Sequence, residues 1–208
     1  MFSRGHSLEM DEKSKTFASI LLMVTGMAIV GVIDNFVKFI AIEIGLWQFH
    51  FLRSLIAVPV IVLFGLAVGW KLKPKRIWPV LGRNMFLASA MFIYFGSLGF
   101  FPISAVAAGL FTAPVLVMLI DAVWSWRAIG PIRLMTALAG FVGTLMVLNP
   151  EVGGLSWANL IPVIAGLMYA FGNVATRKWC EGESAVALLW SYMFLMLIFG
   201  GIGILYFY

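Results

Sequence analysis

Seven blocks of apolar residues separated by short polar punctuation run through the chain, at approximately 17–40, 46–69, 81–99, 103–124, 131–148, 157–177 and 185–207. Each is close to the ~20 residues an α-helix needs to cross roughly 30 Å of hydrocarbon. Continuous apolar runs argue against a membrane β-barrel, whose strands alternate over about ten residues. In lipid every backbone polar group must be satisfied within the protein, which leaves the helix as the remaining spanning element. The pattern predicts an all-α, polytopic transmembrane helix bundle. Its short connections predict that consecutive helices pack as antiparallel neighbours.

Composition supports this class. Of 208 residues, 62% are apolar and only 11% charged, against about 25% charged in a soluble domain. The net charge of +5 could suggest a nucleic-acid partner, but the basic residues sit in clusters between the apolar blocks. That is a topology signal and not a phosphate-binding face. Arg4, Lys13, Lys15, Lys71, Lys73, Lys75, Arg76, Arg83, Arg127, Arg133, Arg177 and Lys178 fall on one side, 12 of the 14 basic residues. Only Lys38 and Arg53 fall elsewhere. The bias puts the polar tail 1–16 in the cytoplasm, and the first apolar block is too long for a cleaved signal h-region. The expected location is the plasma membrane, the inner membrane of a bacterium, with multiple passes.

Punctuation fits the spans. Pro74 and Pro79 fall in the basic connection, Pro102 at a tight turn, Pro131 at a helix start and Pro150 after a helix end. Pro59, Pro114 and Pro162 fall inside spans, where each removes a backbone hydrogen bond and bends the helix. Gly65 with Gly69, Ala105 with Gly109, and Gly166 with Ala170 have the four-residue spacing that lets helices approach closely.

Polar chemistry within the spans is concentrated in the first two. Asp34 and Lys38 share a helix face, as do His50, Arg53 and Ser54. At 1.5 Å per residue, Asp34 lies ~9 Å and Arg53 ~10 Å below the outer helix ends. The opposite charges are at matching depth, which predicts a hydrated cluster of Asp34, Lys38 and Arg53 opening outward. Such groups are expensive in a bilayer and mark substrate pathways or gates; a structural pair that neutralises two charges is the alternative. Tyr94, Thr112, Asn173, Trp190 and Tyr192 are further cavity-lining candidates, though packing explains such residues equally well. Gln48, Asn84 and Asp121 lie near helix ends, where solvated positions are common.

No catalytic signature is present: no zinc-spaced histidine pair, no Asp-rich diphosphate site and no glycine-rich phosphate loop. One cysteine, Cys180, leaves no intrachain disulfide or thiolate metal site. The sequence predicts no enzyme, no metal and no cofactor. A retinal protein is disfavoured because 185–207 holds no lysine.

The chain carries, in order, Asp34-Asn35-Phe36-Val37-Lys38, Phe51-Leu52-Arg53, Tyr94-Phe95-Gly96-Ser97-Leu98, Thr112-Ala113-Pro114, Gly140-Phe141-Val142-Gly143, Leu148-Asn149-Pro150 and Thr176-Arg177-Lys178. This order of motifs resembles the EamA-type branch of the drug/metabolite transporter superfamily. It covers about 17–205. It implies a ten-helix fold of two inverted five-helix repeats around a central substrate cavity. Residues 17–150 would then be the first repeat and 151–208 two helices of the second, with Gly26 matching Gly166 and Lys38 matching Lys178. It also implies secondary transport of a small polar organic metabolite such as an amino acid, nucleoside derivative or vitamin, by alternating access. The Asp-x-x-x-Lys with a following Arg is similar to carriers of S-adenosylmethionine and riboflavin. On this resemblance Asp34, Lys38, Arg53, His50, Tyr94 and Thr112 are the expected substrate or gate residues. Trp126-Arg127 stands where the family has a Gly-Glu pair, so no glutamate role carries over. The apolar sequence running up to Tyr208 predicts a truncated member. A homo-oligomer or a missing C-terminal half would have to supply the absent wall, and the rival expectation is a non-transporting scaffold or pseudotransporter.

Overall fold

The computed structural model describes residues 16, 17, 20–22, 24–26, 28, 44–125, 130–148 and 160–207. The chain divides into two units, Met1–Gly45 and Leu46–Tyr208. In the first, every described position from Thr16 to Ala28 is helical. The second contains helices α1 (Leu46–Ala67), α2 (Ile77–Ser97), α3 (Ile103–Leu110), α4 (Ala113–Ser125), α5 (Pro131–Leu148), α6 (Ile161–Trp179) and α7 (Ala185–Phe207). No strand occurs among the described residues. The protein is a helical, multi-pass membrane protein. Leu46–Ala67, Ile103–Trp124 and Ala185–Tyr206 are each long and apolar enough to cross a bilayer.

The expected blocks 46–69, 131–148 and 185–207 reappear as α1, α5 and α7. The block at 103–124 does not stay in one piece. It breaks at Phe111 and Thr112 because Pro114 has no N–H to give. Thr112 turns both its N–H and its hydroxyl back onto the Gly109 carbonyl, at 3.2 and 2.6 Å, which tightens the turn at the break. Pro79 was expected in a connection but stands in the first turn of α2, where a missing N–H costs nothing. Likewise Pro162 stands in the first turn of α6 and does not bend it. Pro150 and the expected first span beyond Ala28 lie outside the described residues.

Packing follows the small residues rather than chain order. The broad contacts are α2 along α6 and α1 along α7, whereas the consecutive α1 and α2 meet chiefly through aromatic rings at the start of α1 and the end of α2. The expectation of consecutive antiparallel neighbours therefore fails here: nine residues of connection let the second helix leave the first. A Cβ on Gly166 would sit 2.5 Å from the Gly109 carbonyl oxygen, and one on Gly200 2.7 Å from the Phe51 nitrogen. Backbone thus meets backbone at α3–α6 and α1–α7, as small residues permit in membranes.

Gly69 was paired with Gly65 as a packing residue, but it ends α1 instead. Its φ of 74° closes a left-handed cap in which Gly69 N–H donates to Leu66 and Trp70 N–H to Gly65, at 3.2 and 2.8 Å. The Trp70 ring then packs on Phe64 at 5.4 Å.

The start of α2 is held from a distant part of the chain. Gly182, with φ 74°, makes a tight turn closed by Glu183 N–H to the Cys180 carbonyl. That turn aims the Glu183 carboxylate at the free N–H groups preceding α2. Lys75 N–H and Arg76 N–H each donate to it at 2.8 Å, and the Arg76 guanidinium donates to the Trp179 carbonyl at 2.7 Å. A carboxylate suits a helix N-terminus, where the backbone dipoles leave partial positive charge.

The Lys75 N–H bond holds the Glu183 carboxyl below its ordinary pKa of 4.5, helped by Arg76 N–H and both cations and opposed by desolvation. A lowered folded-state pKa contributes stability above the ordinary value and loses it as pH falls through the folded one. We expect Glu183→Gln to lower the melting temperature of the detergent-solubilised protein at pH 7, with the gap to wild type closing below pH 4. A gap that persists unchanged at low pH would refute the cap. For packing, Gly166→Val should cost about 1–3 kcal/mol of stability, while Gly143→Ala, with open space around it, should be neutral in the same melt.

Candidate functional site

One face of α1 carries Phe49, His50, Arg53 and Ser54, placed by three- and four-residue spacing against α7 and the C-terminal half of α2. His50 is fully enclosed at 0% exposure. Its ring is met edge-on by Phe49, Phe92 and Phe95 at centroid distances of 5.4, 5.2 and 5.0 Å. Trp47 lies 5.0 Å from Phe92, and Phe199 of α7 lies 6.0 Å from the same ring. The Arg53 guanidinium carbon sits 5.6 Å over the Phe49 ring, a cation–π contact. Tyr192 of α7 is in side-chain contact with Arg53 and within electrostatic reach of Arg83.

The polar atoms in this aromatic wall are unspent. Among the described residues, both ring nitrogens of His50, Nε and Nη2 of Arg53 and Oγ of Ser54 are buried without a hydrogen-bond partner. Each such group costs about 1–3 kcal/mol to bury unpaired. Five of them side by side make a concentrated demand for a polar ligand. Flat π-faces around donors suit a planar molecule carrying carbonyl or anionic oxygens.

Of the residues expected at a site, His50 and Arg53 are brought together with Ser54. Tyr94 of α2 is the sequence neighbour of Phe95, its ring edge-on to that residue at 5.2 Å. The described contacts of Thr112 are instead with Gly109 and Gly166, at the helix break. Asp34 and Lys38 lie outside the described residues, as does Trp126-Arg127. The expectation of wet positions for Asn84 and Asp121 is corrected for Asn84 alone, which is 2% exposed. Asp121 keeps a partly solvent-exposed side chain while pairing with Lys178 at 3.1 Å and Arg177 at 3.9 Å, joining α4 to α6.

A second polar set near the start of α2 went unnoticed in the sequence because Arg83 reads as part of the basic connection. It stands inside α2. Its guanidinium donates to Thr176 Oγ1 at 2.9 Å, Asn84 Oδ1 at 2.8 Å and the Leu188 carbonyl at 3.3 Å. Asn84 Nδ2 donates to Ser191 Oγ at 3.1 Å. This set stitches α2 to α6 and α7, and each of these oxygens is answered by a donor. The signal available beforehand was the adjacent pair Arg83-Asn84 running into apolar sequence.

No protein-family model matches the chain. Two curated relatives do. A riboflavin transporter of Rhizobium johnstonii is 26% identical over 159 residues, which is 76% of this chain and 51% of the relative. A riboflavin transporter of Brucella anthropi is 24% identical over 157 residues, 76% of this chain and 54% of the relative. The chain spans about half the length of the curated relatives it matches. A solved crystal structure superposes with a TM-score of 0.66 at 20% identity, covering 79% of this chain and 60% of the other; this shows a shared fold.

Unpaired buried groups make an unusual stability prediction. Removing the Ser54 hydroxyl deletes a desolvated group that gains nothing from the protein, so Ser54→Ala should leave the melting temperature unchanged or raise it, by up to about 1 kcal/mol of stability. His50→Phe, which continues the aromatic wall, should do the same. A clear drop in both melts would mean that these groups are already satisfied.

Proposed function

We propose that this chain carries the substrate-binding portion of a membrane transporter for a flat, polar, vitamin-like metabolite of the riboflavin type. The observation that carries the reading is the unspent donor set of His50, Arg53 and Ser54 inside an aromatic wall. A heteroaromatic solute would stack on Phe49, Phe92 or Trp47 while its ring oxygens take the Arg53 and Ser54 donors. The two riboflavin transporters among the relatives support the substrate class. The motif order supports an EamA-type drug/metabolite transporter, with 17–150 as a first five-helix repeat and 151–208 as the opening of a second.

In this reading transport is secondary and runs by alternating access, one repeat rocking against the other around the site. The sequence pattern favours Asp34, Lys38 and Arg53 as substrate or gate residues, with Tyr94 and Tyr192 as further candidates along the path. The N-terminus faces the cytoplasm of a bacterial cell, as the basic residues favour. The Arg83 network and the Glu183 cap hold the opposite end of the bundle closed.

Uptake of radiolabelled riboflavin by cells producing the protein, alongside a panel of amino acids and nucleosides, tests the substrate. Arg53→Ala should lower uptake at least tenfold at unchanged membrane levels, the loss expected for a charged hydrogen bond of about 1.5–3 kcal/mol. Arg53→Lys should retain part of it, since the charge stays and the planar fork goes. Full uptake by Arg53→Ala would refute the assignment, and absence of flavin uptake by the wild type would refute the substrate.

A further inference from the structure

Between the starts of α2 and α7 runs a cavity of about 540 Å³, walled by Ile77, Val80, Leu81, Phe194, Leu195 and Ile198. Its polar floor, Asn84 and Ser191, is spent on itself, since Asn84 donates to Ser191 and accepts from Arg83. The walls therefore ask for nothing but apolar surface, in contrast to the His50–Arg53 site. From Ile77 to Asn84 and from Trp190 to Ile198 the groove follows two helices for ~10 Å, about two-thirds of one ~15 Å leaflet.

Its mouth has the opposite character. Leu72, Lys73 and Pro74 form the rim, and this loop is fixed. Trp190 Nε1 donates to the Leu72 carbonyl, the Leu72 side chain fills the space over Gly65, and Lys75 and Arg76 are tied to Glu183. Lys71 and Lys73 are exposed on it, with no carboxylate partner among the described residues. Trp70 and Trp78 flank this loop in sequence and Trp190 reaches it from α7, as aromatic side chains do at headgroup level.

We propose that this groove is a binding site for an anionic phospholipid, with one acyl chain between α2 and α7 and the phosphate headgroup on Lys71 and Lys73. An apolar slot opening beneath a fixed cationic rim at the bilayer surface matches the two-part chemistry of such a lipid, and basic pockets between membrane helices recognise headgroups in this way. The site does not depend on which solute the protein carries.

The test is native mass spectrometry of the detergent-purified full chain titrated with dioleoyl phosphatidylglycerol, dioleoyl phosphatidylcholine or sn-glycerol 3-phosphate. Wild type should retain phosphatidylglycerol in preference to phosphatidylcholine. Lys71→Gln with Lys73→Gln should weaken phosphatidylglycerol binding about fivefold per lysine and abolish the preference. Leu81→Trp, which fills the slot, should reduce retention of both lipids. An undiminished preference in the double lysine variant overturns the proposal; because both lysines are exposed and unpaired, that variant keeps its fold. Displacement of the lipid by glycerol 3-phosphate alone would make this a soluble-anion site and also overturn it. So would a change in the monomer-to-dimer ratio of Leu81→Trp with lipid retention intact, since the groove would then belong to a second copy.

Discussion

A polar group carried into hydrocarbon has no water to fall back on, so it must find its partner within the protein or in what the protein binds. That constraint sorts this molecule into two ends. Around Arg83 the demand is met: the guanidinium reaches Thr176, Asn84 and the Leu188 carbonyl, drawing three helices together. Around Arg53 it is met only in part: Tyr192 reaches the guanidinium, but among the described residues Nε and Nη2 find no partner, and neither do the polar atoms of the neighbouring histidine and serine. The same residue type serves as a stitch at one end and, in the proposed reading, as a ligand group at the other. What differs is the neighbours: hydroxyl, amide and carbonyl oxygens in the first case, ring faces in the second.

Close helix contact makes both arrangements rigid. Lipid offers little hydrophobic gain for bringing helices together, so packing depends on small residues that let backbones meet. Gly200 admits the backbone of α1 at Phe51, the residue next to His50. Gly166 and Gly109 admit one another where Pro114 and Thr112 bend the chain. The Glu183 carboxylate completes the frame, since it satisfies the free N–H groups ahead of α2 from a turn more than a hundred residues away. With the helix start pinned, the rim carrying Lys71 and Lys73 is also held, and the groove below it keeps its shape.

Much of this was legible in the linear chain. Apolar block length and the scarcity of charge specified membrane helices, and α1, α5 and α7 end within a residue or two of where the blocks do. His50, Arg53 and Ser54 share a face by spacing alone, which made them candidates before any neighbour was known. Periodicity could not show that Arg83 is inside a helix, because a basic residue at a block edge looks the same whether wet or buried. Nor could it separate Gly69 as a cap from Gly65 as a contact, since both sit at packing spacing and only the backbone angle distinguishes them.

The sequence by itself determined the class of solvent this protein lives in and which side chains would be costly there, because both follow from local composition and helix geometry. Only the tertiary structure decided which of those costly groups are answered. Hydrogen-bond partners such as Glu183 for Lys75 and Ser191 for Asn84 come from positions more than a hundred residues apart, and no local pattern encodes a pairing at that range.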